Sequence, residues 1–154
     1  MDFEEGQRAN RALNKLAKTY RAVQTRKLGV LGLHPGQDVL VWVLAQEPAG
    51  MTVSQLALRL GVEPPTATRS LARMESAGLF TRQPVAGDRR QVRIVLTDRA
   101  RQLVPGIEQV WTELAHEAFG HLDGQLRASV VAALESAVAG WLPRLDESVL
   151  ADDS

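Results

Sequence analysis

Two groups of residues in this sequence have the types and spacing needed to recognise a polyanion. The first is Pro65, Thr68, Arg69, Ala72, Arg73 and Ser76, which share one face if the segment 64–77 is helical. That face carries small residues, hydroxyls and two arginines, with no acid and no large apolar side chain. A helix must approach closely to read base edges in the DNA major groove. Small residues permit the approach, and Arg and Thr supply the hydrogen bonds. A solvated helix face has much the same composition, so this group alone leaves both readings open. The second group is Asp88, Arg89 and Arg90, just past a Pro84-Val-Ala-Gly turn. An arginine on a hairpin tip can enter a narrow minor groove, where the negative potential is strongest. Asp88 has no use against phosphate, but as an ion-pair partner it can hold one guanidinium in place. A solvated hairpin tip is the alternative there.

The elements that would position these groups are legible on either side. Thr52 and Gln55 have the spacing of a capping box at the start of a helix. Leu56, Ala57 and Leu60 then share a face. Gly61 stands where a helix end needs a left-handed residue, and Val62 is expected to plug the turn. Glu63 and Pro64 open the second helix, with Pro64 at a position that loses no hydrogen bond. Ala67, Leu71 and Met74, spaced i, i+4, i+7, should face the first helix, and Gly78 should end the second. Val92, Ile94 and Leu96 alternate with Arg93 and Val95 as a half-buried strand does, and Leu79-Phe-Thr81 begins its partner. A helix pair followed by a hairpin with a charged tip is a winged helix-turn-helix. Met51 can add a one- or two-residue strand beside the wing.

Three stretches, TVSQLALRLGV, PTATRSLARMESAGLF and GDRRQVRIVLT, together resemble the MarR family of bacterial winged helix-turn-helix regulators. The resemblance extends along the whole chain, because the flanking helices have the family's order and length. It implies that Asp88 and Arg90 match the wing's Asp-x-Arg pair and that Thr66, Thr68, Arg69 and Arg73 match recognition-helix positions. Ala100 departs from the family, which commonly has Gly there. Arg89 beside Arg90 leaves open which of the two reaches the groove.

The formal charge is zero, with 18 Lys/Arg against 18 Asp/Glu, but it is segregated. Residues 59–101 hold nine Arg and four acids, whereas residues 102–154 hold two Arg and nine acids. A basic patch on the motif matters more for nucleic acid than the total does. The 154 residues contain no cysteine, which excludes disulfides and thiolate metal sites. No stretch approaches the length of a membrane span, and the acidic, polar start MDFEEGQRAN is unlike a signal peptide, so the expected location is the cytoplasm.

The expected architecture is mainly α (α+β), a single MarR-like domain over 1–154. Residues 34–97 form the winged DNA-binding part, and 1–33 with 98–148 form a helical dimerisation part. A first helix over about 7–28 has the stripe Ala9, Leu13, Leu16, Tyr20 and Val23, followed by a Gly- and Pro-containing loop. Pro35 should open the next helix, which buries Val39, Leu40, Val43 and Leu44. Thr97 should cap one long helix reaching Leu122, with Pro105-Gly106 as a possible bend. Asp123 should cap a last helix that Pro143 ends or kinks, and the ADDS tail should be disordered. Phe119, Leu122, Val130, Val131, Leu134, Val138, Trp141, Leu142 and Leu145 exceed what the chain can cover alone, which predicts a homodimer. An intrachain core is the competing account.

The resemblance also implies a small, often aromatic or anionic, effector between the dimer helices and the winged part. Tyr20 and Trp42 would be its aromatic walls and Arg21 or His34 its positive group, although ordinary core packing also accounts for Tyr20 and Trp42. No Ser-His-Asp arrangement or phosphate loop occurs, so neither an enzyme nor a cofactor is expected. Glu113, His116 and Glu117 are spaced to ligate a metal, but on an acidic helix they read as a solvated face. Two functions stay in play: a DNA-binding transcriptional regulator, a repressor acting on a pseudo-palindromic operator as a homodimer, and a winged helix that binds only protein. The arginines at 69, 73, 89, 90 and 93 favour the regulator.

Overall fold

The structure is a computed structural model. It describes residues 1–85 and 87–151, with the backbone alone at Arg89, Arg90 and 142–151. Contacts divide the chain into two compact units, 1–112 and 113–154.

The first unit begins with α1 (Phe3–Val30), longer at both ends than its apolar stripe predicts. Asp2 extends it by accepting the Glu5 N–H at 2.8 Å. Of its 28 residues only Leu28 is buried, and Leu13, Leu16 and Tyr20 stay exposed. Next comes α2 (Gln37–Ala45). Pro35 does not open it. Pro35 sits in a turn closed by Gln37 N–H to the His34 carbonyl, and Gly36 at φ 96 is the N-cap. The inward side of α2 is Asp38, Leu40, Val41, Val43 and Leu44, whereas Val39 is exposed.

The helix pair is α3 (Val53–Leu60) and α4 (Pro64–Ser76). Thr52 and Gln55 make the expected capping box, and Gly61 has φ 64, ψ 37, the left-handed geometry that costs other residues a Cβ clash. Val62 is 37% exposed, so it does not plug the turn. The turn is closed instead by Val62 N–H bonding to the Ala57 carbonyl. Leu56 and Ala57 meet a core that includes Ala67, Leu71 and Met74, all within 2% of complete burial.

The wing is the antiparallel pair β1 (Phe80–Val85) and β2 (Asp88–Leu96), in the register Phe80↔Leu96, Arg82↔Ile94, Val85↔Asp88. Its strands run further than expected, so the connection shrinks to the two residues between Val85 and Asp88. Met51 forms an isolated bridge with Ile94, as its place in the sequence suggests. The expected long helix is broken: α5 (Asp98–Arg101) is capped by Thr97, and α6 (Val104–Phe119) follows. Pro105 has no N–H to give the Arg101 carbonyl and its ring crowds that carbonyl, so the helix restarts.

In the second unit Asp123 caps α7 (Gly124–Ala151) by accepting the Leu126 N–H at 2.9 Å. The backbone stays helical through Pro143, which removes one hydrogen bond without ending the helix. Leu126, Val131, Val138 and Trp141 are exposed. Leu142, Leu145 and residues 152–154 of the tail lie outside the described side chains or residues. Among the described residues no helix is long and apolar enough to cross a membrane.

Candidate nucleic-acid interface

Burial of Ala67, Leu71 and Met74 turns the other side of α4 outward. Pro65, Thr66, Thr68, Arg69, Ala72, Arg73 and Ser76 are all exposed. The Thr68 hydroxyl donates to the Pro64 carbonyl at 2.9 Å and the Ser76 hydroxyl to the Arg73 carbonyl at 3.0 Å. Their hydrogens are therefore committed to the helix, and their oxygens face out as acceptors. Arg69 and Arg73 make no hydrogen bond or ion pair among the described residues. The face is a row of uncommitted guanidinium donors on a rigid helix.

The end of α4 is tied to the wing. Leu79 N–H bonds the Met74 carbonyl at 3.1 Å, and the Thr97 hydroxyl reaches the Gly78 carbonyl at 3.0 Å from the far end of β2. Arg93, counted among the arginines that favour DNA, is tied into the fold. It is half-buried, and its Nη1 donates to the Gly50 carbonyl at 2.8 Å, beneath the Met51–Ile94 bridge. At the hairpin end Asp88 is half-buried opposite Val85. Arg89 and Arg90 follow it in β2, and their side chains lie outside the described set.

Arg82 was not singled out from the sequence. Its Nε donates to both Glu75 carboxylate oxygens, at 3.1 and 3.2 Å, and its guanidinium lies 5.7 Å from the centre of the Phe80 ring. Glu75 and Arg82 are on different elements, so no periodicity links them. Only the paired strand beside the helix end does.

Each of the four residues considered for an effector pocket has its own surroundings among the described residues. His34 lines a cavity of about 410 Å³ with Pro35, Gln37, Leu40, Ser70 and Arg73. Tyr20, Arg21 and Trp42 are not in its lining. Trp42 packs on Trp111, with centroids 5.7 Å apart and rings inclined at 53°, and donates to Glu108 at 3.2 Å. Arg21 is exposed on α1. Tyr20 is half-exposed, and burial, then the nearby Asp38 carboxylate, push its phenol above the usual range.

Asp38 is a second residue that the sequence reading passed over. It is completely buried, yet its Oδ1 accepts the Gly36 N–H at 2.8 Å, and its Oδ2 accepts Trp111 Nε1–H at 2.8 Å and Gln24 Nε2–H at 3.4 Å. One carboxylate thus joins α1, the turn before α2, and α6. The available signal was an acid three residues before Val41, on the inward side of an apolar helix. Among the described residues no three His, Cys, Asp or Glu side chains converge as a metal site would require.

Comparison with known proteins agrees with this geometry. Residues 24–91 match the model of the MarR family, a span running from the end of α1 into β2. A MarR transcriptional regulator from Methanosarcina mazei is 23% identical, with a TM-score of 0.71 over 89% of this chain and 98% of that one. The S. aureus MepR structure, a DNA complex, is 20% identical with a TM-score of 0.75 over 85% of this chain and 96% of that one. A mutant E. coli MarR complexed with operator DNA is 22% identical with a TM-score of 0.73, over 89% and 99% of the two chains. The family match thus covers the helix pair and the start of β2, residues 24–91, and the solved structures share the winged helix-turn-helix fold of this chain.

Proposed function

We propose that the protein is a repressor that binds a pseudo-palindromic DNA operator as a homodimer. The observation that carries this reading is the outward face of α4, where Arg69 and Arg73 stand uncommitted among Pro65, Thr66, Thr68, Ala72 and Ser76. Arg and Thr on such a face match the donor and acceptor pattern of base edges, and the wing tip, with Asp88, Arg89 and Arg90, follows the groove. MepR and E. coli MarR, whose fold this chain shares, were each solved on DNA.

The dimer is inferred from the apolar side chains left exposed on α1 (Leu13, Leu16, Tyr20) and on α7 (Leu126, Val131, Val138, Trp141). A two-fold partner covers such faces, and two recognition helices about 34–36 Å apart then read half-sites one DNA turn apart. In this reading residues 1–33 and 98–148 serve dimerisation, residues 34–97 serve DNA, and the protein works in the cytoplasm. A small anionic effector fits the cavity that His34 and Arg73 line, since a ligand there competes for an arginine that also faces DNA.

The test is DNA protection by the purified protein across the region upstream of its own gene. The expected result is a protected site with two-fold symmetry, released by salicylate-like acids. Binding no tighter than to random duplex sinks the operator reading and leaves a protein-binding module.

A further inference from the structure

The geometry points to Arg82 as a seat for a DNA phosphate, held in place by Glu75; this rests on the DNA-binding reading above. Arg82 is paired with Ile94, and directly opposed residues of an antiparallel pair share a face. Ile94 is fully buried, so Arg82 leaves the sheet on its inner side. Its stem passes Phe80 and its head meets Glu75 near the C-terminal end of α4. The guanidinium therefore occupies the angle between the recognition helix and the wing, with the side chain 40% exposed.

Two adjacent grooves of a duplex are separated by one sugar-phosphate strand. If α4 lies in the major groove and the hairpin tip in the neighbouring minor groove, that strand passes through the angle where Arg82 sits. Both contacts to Glu75 use Nε, which leaves the Nη1 and Nη2 hydrogens uncommitted among the described residues. Those hydrogens form the fork that suits a phosphate. Glu75 fixes the plane of the fork in advance, and the Phe80 ring backs it. An exposed ion pair of this kind adds little to the fold, so its use lies in orientation.

The competing account is a latch that only fastens the wing to the helix. The two accounts differ in salt dependence, because each phosphate contact contributes about one unit to the slope of log K against log salt. The experiment measures binding of a fluorescent random-sequence duplex to the full-length protein over a range of sodium chloride. It compares the wild type with Arg82→Gln, Arg82→Lys and Glu75→Gln. Arg82→Gln is expected to lower the slope by about one and to weaken binding about eightfold at about 0.1 M salt, equally for all sequences. Arg82→Lys restores the slope. Glu75→Gln leaves the slope intact and does not weaken binding, since it also removes an anion from beside the phosphate. Partial unfolding shifts the intercept and not the slope, so a damaged fold cannot imitate the result. An unchanged slope in Arg82→Gln, or a Glu75→Gln that behaves like Arg82→Gln, overturns the phosphate seat and leaves the latch. A wild type that binds no duplex at any salt removes the DNA-binding reading itself.

Discussion

Replacing Asp38 by leucine tests whether one buried carboxylate holds the first unit together. Leucine is close in size and preserves the helix, but it accepts nothing. The Gly36 N–H and the Trp111 Nε1–H each lose an acceptor at 2.8 Å, while the Gln24 contact at 3.4 Å is long and adds little. A buried donor left unpaired costs ~1–3 kcal/mol; Gly36 is exposed and water can reach its N–H, so that cost falls chiefly on the Trp111 N–H. The substitution also spares a charged group the loss of its water, which offsets part of that cost. The expected net loss is ~1–3 kcal/mol, a sizeable share of an ordinary domain's ~5–15 kcal/mol. Trp111→Phe removes one of the same bonds, to a charged acceptor, and should cost ~1.5–3 kcal/mol. The double variant should then lose ~1–3 kcal/mol less than the two singles combined. Urea unfolding followed by circular dichroism measures all four proteins, at one fixed concentration because the midpoint of any self-associating protein depends on it. An Asp38→Leu protein within ~0.5 kcal/mol of wild type, or strictly additive single effects, would refute the reasoning.

Arg90→Ala should weaken operator binding by ~1–3 kcal/mol if its side chain enters the minor groove; wild-type affinity there, with a loss on Arg89→Ala, would move the groove contact to Arg89. Arg69→Ala should relax discrimination at one base pair, whereas Arg73→Ala should weaken all sequences alike, and a panel of single-base operator variants separates the two. Gly50→Ala should destabilise the fold by ~1–3 kcal/mol, because the residue has φ 77 and a Cβ there would meet the Ile94 carbonyl at 2.6 Å; a melt no lower than wild type would count against it. The Tyr20 phenol is raised in the folded protein, so the unfolded chain releases that proton first as pH climbs. Its contribution to stability is complete below the ordinary tyrosine value and is lost as pH rises through the raised one. The chain's single tyrosine makes this visible in an ultraviolet titration, and Asp38→Asn should move the transition down by removing the second of its two causes.

The local chemistry of the helix pair was legible in the chain itself. Thr52 with Gln55, Gly61, Pro64 and Gly78 are short-range instructions, each satisfied by backbone within a few residues, and all appear as read. The outward face of α4 was equally accessible, because burial of Ala67, Leu71 and Met74 follows from period alone and fixes which residues face out. The α1 stripe marked an apolar helix face on which Leu13, Leu16 and Tyr20 are exposed among the described residues. Pairings between distant residues were not legible, since no periodicity encodes them. Arg93 reads as one more cation until the Gly50 carbonyl arrives from 43 residues away. Glu75 and Arg82 become a pair only when the wing folds against the helix end. Asp38 looks misplaced on an apolar helix until Trp111, 73 residues on, brings its N–H. The break before Val104 also outweighed the expectation of one long helix, although Pro105 was the residue noted as its weak point. Period and caps act through neighbouring backbone, so the sequence determined the helix pair and its outward face. Buried polar bonds depend on which distant donors meet in space, so only the tertiary structure decided what holds that pair in place.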